Sequence, residues 1–239
     1  MTTTIDCPTF VDLHALAQAA PAAAGESDPF GDGARRLPVR AGPCALLAIT
    51  VPAGPGQSQG LSADTWVLVE SGRVVLTGPD GDVVLEQGQS AVIARATPFS
   101  WRTDAAATAT GMAYGDGPAG TPGIYPIDNH ATLAPSSPPA PEVLTSDTPS
   151  CRSNNHFASA DEQFKCGIWD SSPYQRKPIH FRHTELMHLL AGKVSFSDAA
   201  GRTATFAKGD TYIIEQGADC TWESCEQVAK IYAQFRPLS

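Results

Sequence analysis

The chain of 239 residues has no apolar run near the roughly 20 residues that a bilayer-spanning helix needs, so a membrane is not an expected partner. It also lacks any cluster of Lys and Arg. Its 16 basic residues stand against 25 acidic ones, and the formal charge of −9 would repel a phosphate backbone, which argues against a nucleic-acid partner. The six cysteines (Cys7, Cys44, Cys151, Cys166, Cys220 and Cys225) form no CxxC pair and no dense framework. They read as free thiols in a reducing compartment rather than as disulfides. The opening stretch "MTTTIDCPTFVDLHALAQAAPAAAGE" lacks the basic start and long apolar centre of a secretory signal and carries Asp6 and Asp12, so the expected location is the cytoplasm.

The chain does contain a repeat. "TWVLVESGRVVLTGPDGDVVLEQGQSAVIARATPFSW" and "ELMHLLAGKVSFSDAAGRTATFAKGDTYIIEQGADCTW" align at an offset of 120 to 121, pairing Gly72 with Gly192, Gly81 with Gly201, Gly88 with Gly209 and Trp101 with Trp222. Within each copy, short runs rich in Val, Ile, Phe and Thr alternate with turn sequences, the pattern of hairpins in an all-β barrel or sandwich. "FVDLHALAQAA" is the exception. Its period predicts a short helix capped by Asp12. Pro density between the copies predicts an extended linker with no regular element. The expected organisation is an N-terminal extension over 1–38, a first barrel over 39–116, a Pro-rich linker over 117–150 and a second barrel over 151–239. The "GDG" at 31–33 and "GPDGD" at 78–82 lack the spacings of phosphate or calcium loops and read as turns.

One stretch, "KPIHFRHTELMHLLAGKVSF" (177–196), places His180, His183, Glu185 and His188 just ahead of a glycine-bounded apolar run. Six residues separate Glu185 from Gly192, Gly209 and Gly217 follow, and the chain closes on "TWESCEQVAKIYAQF". These features resemble the cupin superfamily, and residues 164 to 235 are most similar to its ethanolamine-utilisation subfamily. The resemblance implies that the two copies are tandem jelly-roll barrels, so that with the helix read at the N-terminus the expected fold is all-β with a short N-terminal helical extension. It also implies a site in the barrel mouth where two histidines, a glutamate and a third histidine would hold a divalent metal for Lewis-acid or oxygen chemistry.

Matched residue by residue, Glu185 takes the glutamate position and His180 the second histidine position. Pro178 stands at the first histidine position and Cys220 at the last. Strand alternation places His183, Glu185 and Met187 on one face and turns His188 away. Two readings stay open. In one, His180, His183, Glu185 and Cys220 hold one divalent ion; Zn suits the thiolate best, and Mn, Fe or Ni remain compatible. In the other no cofactor binds, His183 and Glu185 hydrogen-bond each other, and Cys220 is a buried apolar residue. The first barrel carries Thr65 for the glutamate and Ser58, Gly60 and Phe99 for the histidines, so no metal is expected there.

Lys230, Tyr232 and Gln234 share one polar face of the last predicted strand, which either enters a pocket or lies as an outer face against solvent. Lys230 or Tyr232 would supply a proton or orient a substrate, while Trp169, Tyr174 and Trp222 could floor a small-molecule pocket or, as expected for Trp222, pack in the core. The functional expectation is a metal-dependent enzyme or binder of a small polar metabolite, which the resemblance implies to be nitrogenous. The alternative is a metal-free binding or structural protein. Either form can associate further as a homodimer.

Overall fold

β-branched and aromatic residues concentrate in runs of four to eight bounded by Gly and Pro, and these runs are strands in a computed structural model that describes residues 10–15, 28–39 and 42–238. In chain order they begin with β1 (Val11–Asp12), β2 (Arg35–Arg36), β3 (Cys44–Val51), β4 (Gly54–Ser58), β5 (Asp64–Ser71), β6 (Arg73–Gly78) and β7 (Gly81–Glu86). Next come β8 (Ser90–Ile93), β9 (Phe99–Thr103), β10 (Ala107–Tyr114), β11 (Ile124–Ile127), β12 (Ala134–Ser136), β13 (Cys151–Ala158) and β14 (Phe164–Ser171). The last seven are β15 (Tyr174–His180), β16 (Thr184–Ala191), β17 (Lys193–Ser197), β18 (Thr203–Ala207), β19 (Thr211–Ile214), β20 (Asp219–Ser224) and β21 (Val228–Phe235).

The described residues divide into two compact units, one drawn from 17–128 and 156–164 and the other from 1–16, 129–155 and 165–239. Each unit is a jelly-roll barrel. In the first, the sheet order is β11-β8-β5-β10-β3-β2, with a second sheet β4-β9-β6-β7. In the second, β1-β19-β16-β21-β14-β13-β12 accompanies β15-β20-β17-β18. The inner order β8-β5-β10-β3 therefore recurs as β19-β16-β21-β14, and the smaller sheets correspond strand for strand. Every ladder with a recorded register is antiparallel, which suits short hairpins closed by glycine turns. Gly192 shows why one such turn needs glycine. Its φ is +76°, and a Cβ there would lie 2.2 Å from the Gln227 carbonyl oxygen.

Each barrel buries its own apolar core. Phe30, Ile49, Val67, Leu76, Ile93, Phe99 and Trp101 belong to the first, and Met187, Leu189, Phe196, Tyr212, Ile214 and Trp222 to the second. At about 1.5–3 kcal/mol per large side chain removed from water, these clusters supply the main driving force for each barrel.

Two expectations need correction. At the N-terminus, Val11 and Asp12 form an edge strand on β19, and helix is confined among the described residues to 13–15, where Asp12 Oδ1 accepts the Ala15 N–H at 3.1 Å. The cap is as expected, but the rest of the predicted helix lies outside the described residues. The Pro-rich segment also contains regular structure: β11 pairs with β8, β12 pairs with β13, and a 3₁₀ turn covers Pro141–Val143. Pro126 and Pro135 are tolerated because both strands lie at sheet edges, where a missing N–H breaks no second ladder. Among the described residues Cys44, Cys151, Cys166, Cys220 and Cys225 are in no disulfide, and Gly31 and Gly33 close a turn onto the Asp28 carbonyl. No helix among the described residues is long and apolar enough to cross a membrane.

Candidate functional site

In the second barrel, alternation along the strands turns a set of polar side chains into a cavity of about 450 Å³. β16 and the residue pair before it contribute His183, Glu185 and Met187. β21 contributes Lys230, Tyr232 and Gln234, followed by Arg236. From β14 come Lys165 and Trp169, and from the facing sheet Tyr174, Arg176, Ile179 and Trp222. The register sets Gln234 opposite Glu185, Tyr232 opposite Met187 and Lys230 opposite Leu189. Lys230 consequently reaches along the sheet past Met187 to Glu185.

The polar centre is an ion pair. Lys230 Nζ donates to Glu185 Oε1 at 2.9 Å and lies 3.1 Å from Met187 Sδ. It also sits over the Trp169 ring at 5.0 Å and the Trp222 ring at 5.6 Å, so aromatic faces replace part of its lost hydration. The other carboxylate oxygen, Oε2, lies 3.4 Å from His183 Nε2, and His183 Nδ1 lies 3.4 Å from Arg236. Burial alone would oppose ionisation of Glu185. The Lys230 ammonium and the His183 imidazole outweigh it and hold the carboxyl down to about 2. Tyr232 donates to the Asn155 side-chain oxygen, and burial pushes its phenol well above the ordinary range. Trp222 stacks on Tyr174 at 5.4 Å and meets Trp169 edge-on at 5.8 Å. It therefore both packs in the core, as expected, and walls the cavity.

Of the four expected metal ligands, His183 and Glu185 come together and the other two do not. The strand register shifts between Arg176 and Ile179, a bulge at Lys177 and Pro178. This changes the parity of β15, so Ile179 lines the cavity while the His180 side chain is 60% exposed and pairs with Asp219 at 3.3 Å. Cys220 packs fully buried in the apolar cluster, where burial pushes its thiol up to about 11. Among the described residues, no three His, Cys, Asp or Glu side chains converge to hold a metal. The donor set does not fit the metal that the fold implies: two donors remain, and an ammonium already occupies the carboxylate. His188 faces away from the cavity as expected, bonded to Thr211 Oγ1 at 2.9 Å, and burial depresses it to about 4.

Lys230, Tyr232 and Gln234, read from the sequence as one polar face, all line the cavity. The main residue missed by the sequence reading is Arg176, 6% exposed and also in the lining. The signal was present, because Arg176 stands two residues after Tyr174 and therefore shares its inward face.

In the first barrel, the matching positions do other work. Thr65 donates to the Ala63 carbonyl at 3.1 Å, the Ser58 hydroxyl accepts the Gly60 N–H at 3.2 Å, and Phe99 packs on Phe30 at 5.6 Å.

Residues 158–232 match the family model of the EutQ-like cupin domain. Among curated proteins, none matches the chain. A crystal structure of a protein of unknown function in the DUF861 family, from Pseudomonas syringae pv. tomato, is 33% identical, with 95% of this chain and 99% of that one covered and a TM-score of 0.83. A cupin 2 conserved barrel domain protein from Leptotrichia buccalis is 8% identical over 98% of this chain and 99% of its own, with a TM-score of 0.65. Protein Ylba from E. coli, also of DUF861, is 11% identical over 96% and 92%, with a TM-score of 0.58. The last two likenesses concern the fold alone. With a third of its residues shared with the first over nearly the full length of both chains, this chain belongs to the DUF861 family of cupins.

Proposed function

We propose that the second barrel binds a small polar metabolite without a metal ion, and that the Lys230–Glu185 pair takes the part a metal plays in other cupins. The observation that carries this reading is the 2.9 Å contact from Lys230 Nζ to Glu185 inside a 450 Å³ cavity walled by Trp169, Tyr174 and Trp222. A fixed ammonium beside aromatic and apolar walls supplies orientation and hydrogen bonding at neutral pH, as small-molecule pockets require. An alternative to a metal is thus built from the chain's own side chains.

The test is a thermal-shift and tryptophan-fluorescence screen of small polar metabolites, covering acids, amines, amides and polyols, on protein treated with EDTA. Trp169 and Trp222 report directly on occupancy. Binding by the chelated protein that is weakened in Glu185→Gln supports the reading, whereas binding that appears only after Zn or Mn is returned contradicts it.

A second reading has one observation in its favour: Lys230, Glu185, His183 and Arg236 form a continuous polar array from the cavity. Such an array can hold and move a proton, which would make Lys230 a catalytic residue. Deuterium exchange into a bound probe would favour this reading, and recovery of the probe unchanged would favour binding alone.

A further inference from the structure

We infer that the ligand of this cavity carries a carboxylate attached to an apolar or aromatic body, and that Arg176 is the residue that receives the carboxylate. The inference rests on the binding-pocket reading and names the class of ligand the pocket takes. Its first support is the state of Arg176. The residue is only 6% exposed, lines the cavity, and has no carboxylate partner among the described residues. Its hydrogen bonds go through Nη1 to two backbone carbonyls, Cys220 at 2.7 Å and Lys177 at 3.3 Å, while its face lies 5.6 Å from the Phe181 ring. Tyr174 and Cys220 also interact with it, but burial raises both, Cys220 to about 11, so neither is an anion at neutral pH. A buried charge left without a counter-charge is costly. A ligand carboxylate would neutralise it with the planar, two-pronged geometry that guanidinium groups favour.

The second support is the charge of the lining. Four basic side chains (Lys165, Arg176, Lys230 and Arg236) face a single carboxylate, Glu185, and that carboxylate is already paired with Lys230. Such a lining attracts small anions even in a chain of formal charge −9. The Ser136 hydroxyl, buried in the same lining without a hydrogen-bond partner among the described residues, offers a further contact.

The third support separates a carboxylate from an inorganic anion. Trp169, Ile179, Phe181, Met187 and Trp222 make much of the wall apolar, and such a wall gains from an apolar body that phosphate lacks.

The experiment titrates chelated full-length protein with benzoate, benzamide, acetate and inorganic phosphate at constant ionic strength, followed by tryptophan fluorescence and calorimetry. Benzoate should bind more tightly than its neutral isostere benzamide by about tenfold or more, and more tightly than acetate or phosphate. In Arg176→Gln that preference should vanish while benzamide binding stays; Arg176→Lys should keep part of it and serves as the readout if the glutamine variant does not fold. Equal affinity for benzoate and benzamide in the wild type, or phosphate as the tightest probe, overturns the carboxylate assignment and leaves the pocket reading standing. A benzoate preference untouched by either Arg176 variant overturns the role of Arg176. If these four probes and the wider metabolite screen all fail to bind, the pocket reading falls as well.

Discussion

The two barrels share one strand order and differ in what fills them. Gly56 pairs with Trp101 in the first as Arg176 pairs with Trp222 in the second. A Cβ on Gly56 would lie 2.2 Å from the Trp101 ring, so the indole occupies the space that the guanidinium lines in the second barrel. At the offsets of 120 to 121, Thr65 stands for Glu185, Ala109 for Lys230, Gly111 for Tyr232 and Ala63 for His183. Phe30 then packs edge-on against both Phe99, at 5.6 Å, and Trp101, at 5.5 Å, completing an apolar interior. The jelly-roll frame is set by glycine turns and strand pairing, while the inward side chains decide between an apolar core and a charged cavity.

The largest effect expected from disturbing this difference comes from splitting the ion pair. Lys230→Met alone leaves a buried carboxylate without its main partner and should cost about 3–5 kcal/mol, read as a fall in the urea midpoint. Adding Glu185→Gln should restore most of it. A single variant as stable as wild type would show that the pair does not hold the second barrel together.

Acid should produce the next effect, with a sign fixed by two groups. Glu185 is depressed from its ordinary 4.5 to about 2, so its contribution is complete above pH 4.5 and fades as pH falls toward 2. His188 is depressed from 6.5 to about 4 because burial favours the neutral ring, so its contribution is complete above 6.5 and fades between 6.5 and 4. Each should cost about 3 kcal/mol over its window. The first barrel carries buried Leu68 at the place matching His188 and suffers no loss of that origin. Hydrogen exchange followed from pH 7 to pH 4 should therefore show the second barrel loosening first. Uniform loosening of both would contradict this.

The smallest effect is also the sharpest on the first barrel. Gly56→Ala forces a methyl against Trp101 and should cost about 1–3 kcal/mol by overpacking. If denaturation shows no change, the indole is not fixed across that strand.

Much of this was legible before the fold. Val- and Thr-rich runs between glycines specify hairpins, and period-two spacing put His183, Glu185 and Met187 on one face and Lys230 with Tyr232 on another. That His180 and Cys220 stay apart from His183 and Glu185 was not legible, because spacing along a sequence assumes an unbroken strand. The bulge at Lys177 and Pro178 reverses the alternation, sending His180 to solvent. Likewise, the pairing of Val11 with Ile213 joins residues 202 positions apart, and local sequence has no means of announcing it. Lys230 was read as a polar face, but its partner became apparent only once the register brought Glu185 within reach.

The most direct test of the metal-free account is elemental analysis of full-length protein purified without chelator and reloaded with Zn or Mn, beside Glu185→Gln. Far less than one ion per chain is expected in both proteins, because among the described residues only His183 and Glu185 of the four expected ligands converge and Lys230 already holds the carboxylate. One ion per chain in the wild type, lost in Glu185→Gln, would contradict it.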